Sequence, residues 1–207
     1  MAGDGVIGDN QVDKSRRVFL TAATATTGAI GAAFALVPFI SSWMPSERAR
    51  AFGAPIELDL SKVDPGQMVV VVWRKQPIYV VRRTPAMLAS LSGHDDRLKD
   101  PTSANSDQPP YAKNLQRARK PEYLVLIGIC THLGCLPKAR FEAGIPELGA
   151  DWPGGFFCPC HGSRFDLSGR VFDGSPASVN LRVPPYAYIN DQTLVIGLDA
   201  ANQKGAA

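Results

Sequence analysis

The sequence predicts an all-β head of antiparallel strands anchored by a single N-terminal transmembrane helix. Three observations carry this. Residues 18–40 form a run of 23 residues without a charge. Beyond residue 56 the chain breaks into short alternating or apolar runs separated by turn residues. Its 17 prolines and 19 glycines suit a loop-rich sheet protein rather than a helical bundle. At 207 residues and 45% hydrophobic content the chain can build one core of ordinary size in addition to the anchor. A formal net charge of +3 is too mild to argue for nucleic acid or a strongly acidic partner.

Residues 1–14 are polar with no apolar periodicity and are expected to be unstructured. Ser15-Arg16-Arg17-Val18-Phe19-Leu20 then matches a twin-arginine export signal, including the Ser before the pair and the Phe-Leu after it. Residues 1–17 are therefore expected on the cytoplasmic side. The 18–40 run, at about 1.5 Å per residue, reaches roughly 34 Å, enough to span a bilayer and too long for a usual cleaved signal. Basic residues on both sides (Lys14, Arg16 and Arg17 against Arg48 and Arg50) leave orientation to the export signal. Ala49-Arg50-Ala51 resembles a cleavage site, which leaves removal of the anchor open. Residues 41–55 read as a polar linker, with Trp43 suited to the membrane interface and Pro45 ending the helix.

The head is expected over residues 56–199. Residues 56–60 alternate like a half-buried strand, Asp64-Pro65-Gly66 is a turn, and 67–74 (QMVVVVWR) is a second, mostly buried strand. A turn at Lys75-Gln76-Pro77 leads to a third strand at 78–83, completing a meander, with a short helix within 84–91. Residues 94–120 are charged, dotted with proline and aperiodic, which predicts a long surface excursion with His94 as a solvated residue. Residues 123–129 read as a buried strand, 140–153 as a polar insertion, 165–171 as a hairpin and 194–197 as the closing strand. The tail, 200–207, is expected to be disordered.

The chemistry is concentrated in two runs, Cys130-Thr131-His132-Leu133-Gly134-Cys135 and Cys158-Pro159-Cys160-His161-Gly162-Ser163. They hold all four cysteines and two of the three histidines, with 25 residues between His132 and Cys158. Two thiolates and two imidazoles suit a tetrahedral zinc, or an iron–sulfur cluster in which two histidines replace two thiolates on one iron. The leftover cysteine in each run leans towards the cluster, because two spare cysteines can form one disulfide.

These paired runs, CTHLGC and CPCHGS, resemble the cluster-binding loops of Rieske iron–sulfur proteins. With the export signal and anchor, nearly the whole chain resembles the Rieske subunits of bacterial ubiquinol–cytochrome c reductases. The resemblance implies an antiparallel Rieske-type β sandwich with a cluster-binding subdomain and one 2Fe-2S cluster. It implies that Cys130 and Cys158 ligate the inner iron, His132 and His161 the outer iron, and that Cys135 and Cys160 are disulfide-bonded. It further implies that Ser163 donates to a bridging sulfide, that His161 and then His132 meet the quinol, and that Leu133 and Gly134 form a docking tip. The anchor would be retained, residues 41–55 would act as a hinge, and the head would lie in the periplasm beside the inner membrane and its lipid. The implied partners are cytochrome b, cytochrome c1 and ubiquinol in a dimeric complex. The chain would then be a catalytic subunit rather than an enzyme alone.

Two departures from the family pattern stand out. Phe165 occupies a position where many relatives carry a tyrosine that donates to a cluster-ligand sulfur, which predicts a lowered potential within the range of about −150 to +300 mV for such centres. Gly174-Ser175-Pro176-Ala177-Ser178 has a serine where relatives often place a second proline. Rival readings are the Rieske subunit of another exported oxidoreductase such as an arsenite oxidase, a soluble Rieske ferredoxin, and a structural zinc module.

Overall fold

The computed structural model describes residues 13–47 and 53–198, in two compact units divided near residue 50. The readings made for residues 1–12, for Arg48, Arg50 and the cleavage-like 49–51, for 48–52 of the linker and for the tail from 199 lie outside the described residues.

The first unit is the helix α1, Lys14–Ser42. The Asp13 carboxylate caps it, accepting from the backbone N–H groups of Ser15 and Arg16 at 3.0 and 3.2 Å. Thr21, Thr24 and Thr27 return their hydroxyls to carbonyls one turn back, at 2.8 to 2.9 Å. That leaves few polar groups to solvate, and Phe19, Phe34 and Phe39 stand fully outward. Its 29 residues make it long and apolar enough to cross a membrane.

The head contains three three-stranded antiparallel sheets among the described residues. The first joins β1 (Ile56–Asp59), β9 (Thr193–Ile196) and β8 (Tyr186–Tyr188) in that order. The second joins β2 (Met68–Trp73), β3 (Gln76–Arg82) and β4 (Tyr123–Ile127). These two share one core, in which Leu60, Ile78, Val80, Leu124, Leu126, Tyr186, Leu194 and Ile196 are buried. The third sheet, β5 (Lys138–Arg140), β6 (Gly155–Phe157) and β7 (Arg164–Phe165), carries the two cysteine runs.

Several expectations need correction. No three-strand meander opens the head, because β1 pairs with the closing strand β9 while β2 and β3 form a separate hairpin. The hairpin turns at Arg74 and Lys75, both with positive φ (50° and 62°), a geometry usually marked by Asn-Gly. That is why the turn was expected one to two residues late. Strand β2 is not mostly buried: Val70 and Val72 point outward, Val72 with 67% of its surface exposed.

The largest correction concerns residues 94–120. The segment is not a surface excursion, since Leu98, Asp100, Ser103, Gln108, Ala112, Arg117 and Ala118 are buried. Its polar residues face backbone groups that no strand satisfies, a pattern without periodicity in sequence. His94 is only 3% exposed; its Nε2 lies 3.3 Å from Asp166 Oδ2 and its ring stacks on Phe172. Residues 140–153 likewise contribute Leu148 and Trp152 to a second small core with Leu98 and Phe172.

Beneath the third sheet, the expected 165–171 hairpin is present, bridged Phe165 to Val171. Its turn is wrapped by three buried arginines. Arg83 donates to Leu167 O (3.0 Å) and Ser168 Oγ (3.2 Å), Arg117 to Ser168 O (3.1 Å), and Arg170 Nε to Asp166 Oδ2 (2.7 Å). Burial pulls the Arg83 and Arg117 guanidinium groups down to about 10, with Asp166 opposing the fall, so both stay charged at neutral pH. Burial alone would raise the Asp166 carboxyl. The His94 hydrogen bond and the Arg170 guanidinium outweigh it and hold Asp166 below its ordinary value.

A carboxyl depressed in the folded state contributes stability above its unfolded value of 3.8, and that contribution is lost as pH falls through the folded value. Asp166→Asn is expected to cost the head about 3 kcal/mol at neutral pH by removing the buried carboxylate from Arg170 Nε and leaving only the part-exposed Asp95 as its ion-pair partner, and to flatten acid destabilisation below pH 3.8. Thermal melts from about pH 2 to 7 check this, and parallel curves for both proteins would refute it.

Candidate metal centre

Each cysteine run begins where a strand ends. Strand β4 continues through Gly128 to Cys130, and β6 ends one residue before Cys158. The two loops close alike. Cys130 N–H donates to Cys135 O (2.7 Å) and Gly134 N–H to Cys130 O (3.0 Å); Cys158 N–H donates to Ser163 O (2.8 Å) and Gly162 N–H to Cys158 O (2.9 Å). The glycine four residues after each leading cysteine has positive φ, 83° at Gly134 and 79° at Gly162, which a side chain would strain. Such a loop turns the residue two or three positions after its leading cysteine, His132 or His161, towards the opposite loop. The imidazole rings meet edge to face, 4.8 Å apart.

Cys135 and Cys160 are disulfide-bonded, as the resemblance implied, and Cys130 and Cys158 are free and buried. The Cys158 sulfur lies within 4.8 Å of both disulfide sulfurs, so the bridge abuts the site as well as joining its loops. Burial, and then the adjacent Cys130, push the Cys158 thiol above its ordinary value. A buried thiol held above its ordinary value, as at Cys158, gives up its proton most readily to a bound cation.

The donor set fits a cluster on further grounds. His132 Nδ1 is buried with no hydrogen-bond partner among the described residues, an orphan a metal bond would satisfy. The buried Ser163 Oγ accepts from Ala177 N–H at 3.1 Å, which leaves its own hydrogen to donate. His161, Cys160 and Pro159 are exposed while both free cysteines are buried, so thiols face inward and imidazoles outward. Leu133 stands at the tip with 71% of its surface exposed beside exposed Gly134, where the docking role was expected.

Comparison with known proteins agrees. Residues 56–186 match the Rieske [2Fe-2S] domain family, and residues 8–46 match the TAT-signal family of ubiquinol–cytochrome c reductase Fe-S subunits. The chain is 58% identical, over 91% of each chain, to a ubiquinol–cytochrome c reductase iron-sulfur subunit of Allochromatium vinosum. The chain belongs to the Rieske iron–sulfur subunits of ubiquinol–cytochrome c reductase. A second such subunit, from Bradyrhizobium diazoefficiens, is 43% identical over 88% of this chain and 94% of that one. A solved chain from a hyperthermophilic respiratory Complex III aligns over 86% of this chain and 98% of its own, with 25% identity and a TM-score of 0.47. The shared name of the curated relatives does not favour the arsenite-oxidase alternative, and the matched [2Fe-2S] domain displaces the zinc reading.

Some site residues gave no signal in sequence. Thr131 Oγ1 ties the first Rieske loop to Val179 O at 2.6 Å. Tyr79, from β3, covers Gly128, where an added Cβ would lie 2.3 Å from the ring, and donates to Pro137 O at 2.9 Å. Leu136 adds a second exposed leucine, 57% exposed, beside the disulfide; the apolar residue just after CTHLGC was the available cue.

Replacing Cys130 or Cys158 with Ser is expected to abolish the complement of two irons and two acid-labile sulfides per chain. The double variant Cys135→Ser/Cys160→Ser should still fill but lose iron faster on dilution into chelator. Iron and sulfide assays over time distinguish the pairs, and equal loss in both would overturn the division of labour.

Proposed function

We propose that the chain is the membrane-anchored electron carrier of a ubiquinol–cytochrome c reductase. It takes one electron from ubiquinol at the outer quinol site and passes it to cytochrome c1, with proton release on the periplasmic side. The observation that carries this reading is the His132–His161 pair, side by side at an exposed tip above two buried thiols.

The assigned ligands are Cys130, Cys158, His132 and His161. When bound, the cluster supplies one-electron chemistry and makes the outer nitrogen of a coordinated imidazole more acidic when oxidised than when reduced. The exposed His161 imidazole accepts the hydrogen bond of a quinol hydroxyl and holds its proton at the outward nitrogen. His132, half-buried with Nδ1 inward, presents Nε2 beside it as the second acceptor. Leu133 and Gly134 form a small apolar tip for cytochrome b. The twin-arginine signal and α1 support a single-pass anchor in the inner membrane with a cytoplasmic N-terminus. Residues 41–55 are the hinge between anchor and head, in contact with lipid at Trp43, within a dimeric complex.

Membranes containing the protein, reduced with ascorbate, are expected to give a rhombic Rieske-type electron paramagnetic resonance signal. A signal that needed dithionite would point to a low-potential carrier and against quinol oxidation. Phe165, buried between β6 and the hairpin, carries no hydroxyl. Phe165→Tyr is expected to raise the midpoint potential by tens of millivolts, the size of a hydrogen bond of about 1 kcal/mol expressed for one electron. An unchanged potential in a redox titration would sink this account.

A further inference from the structure

Residues 174–179 form a third loop that touches both Rieske loops. It belongs to no strand, so its backbone groups need partners from elsewhere. Val179 O accepts from Thr131 in the first Rieske loop. On the second, Ala177 N–H donates to Ser163 Oγ at 3.1 Å and Ser175 Oγ accepts from Arg164 N–H at 3.0 Å. The carbonyls on either side of Pro176 are both taken by one group: Lys99 Nζ donates to Ser175 O at 2.5 Å and to Ala177 O at 2.9 Å.

The backbone beneath this lysine is itself fixed. Lys99 N–H donates to Val171 O at 3.0 Å, and the next carbonyl, Asp100 O, accepts from Asn180 Nδ2 at 2.9 Å. An ammonium that donates two hydrogen bonds to two carbonyls of one loop is a charge held in place as well as a clasp.

We propose that Lys99 is a positioning residue for the third loop and, through Ala177, for the Ser163 hydroxyl, and that its charge raises the potential of the centre. The potential half rests on the ligand assignment above. Reduction adds one negative charge, and a cation clasped within the same small subdomain favours it, with the effect reduced by the solvent that reaches Lys99. Ser163 Oγ accepts from Ala177 N–H, which directs its own hydrogen elsewhere. Releasing the loop lets that hydroxyl rotate away from the sulfide. Both effects have one sign, so losing Lys99 lowers the potential.

The test compares full-length Lys99→Met and Lys99→Arg with the unmodified protein in membranes. In Lys99→Met the reduction equilibrium, titrated by paramagnetic resonance, is expected to shift about two- to threefold towards the oxidised form, tenfold being about 59 mV for one electron. Hydrogen exchange of peptides covering 174–179 should also speed up, while iron content stays the same. Lys99→Arg, which keeps the charge, should retain most of the potential. Wild-type potential and exchange in Lys99→Met would overturn the proposal, and so would an equal fall in Lys99→Arg. If the unmodified protein gave no signal, the ligand assignment would fall, and exchange would still decide the positioning role.

Discussion

Two thiols and two imidazoles meet at one site here because strands from different sheets end at the same point. Here β4 delivers Cys130 and β6 delivers Cys158, and the Cys135–Cys160 disulfide ties the far sides of their loops. Neither loop could hold its half alone. Each is six residues closed by two backbone hydrogen bonds around a left-handed glycine, too little to order a buried thiol and an imidazole. Much of the remaining structure makes these two loop bases rigid. Tyr79 packs on Gly128, two residues before Cys130, stacks on Phe156, two residues before Cys158, and hydrogen-bonds Pro137 O, two residues after Cys135.

Rigidity from below comes from polar burial of a kind that apolar packing could not supply. The 166–170 turn exposes carbonyls to a region without strands, and Arg83, Arg117 and Arg170 fill it with donors. Asp166 balances part of that charge, and His94 closes the network from the 94–120 segment. Buried ion pairs gain little net stability but are costly to break. Such a network therefore specifies one arrangement of the hairpin, and with it the position of Ser163 and Phe165 just before the turn.

The site's polarity follows from the same architecture. The free thiols face the core while His161 is exposed and His132 half-buried, so the groups that can carry a proton sit on the outer side of the site. Apolar Leu133 and Leu136 flank the disulfide on the same exposed loop, an arrangement suited to reversible contact rather than permanent burial. The third loop is held against both Rieske loops by Thr131 and Ser163 and is clasped by Lys99.

Ligand types, their order and the spare cysteine pair were legible in the sequence, because side-chain identity and short spacing carry that chemistry. So were the anchor, most strand positions and the hairpin at 165–171, since hydrophobic period and turn residues act locally. The sequence did not reveal that β1 pairs with β9, that His94 is buried against Asp166, or that Lys99 clasps carbonyls 76 and 78 residues away. Those contacts join distant residues without periodicity, and a polar residue reads as surface until the unsatisfied backbone it serves is in view. By itself the sequence determined which atoms could hold a cluster. Only the tertiary structure decided which polar groups would be buried to hold those atoms still, because that choice depends on where the sheets leave carbonyls without partners.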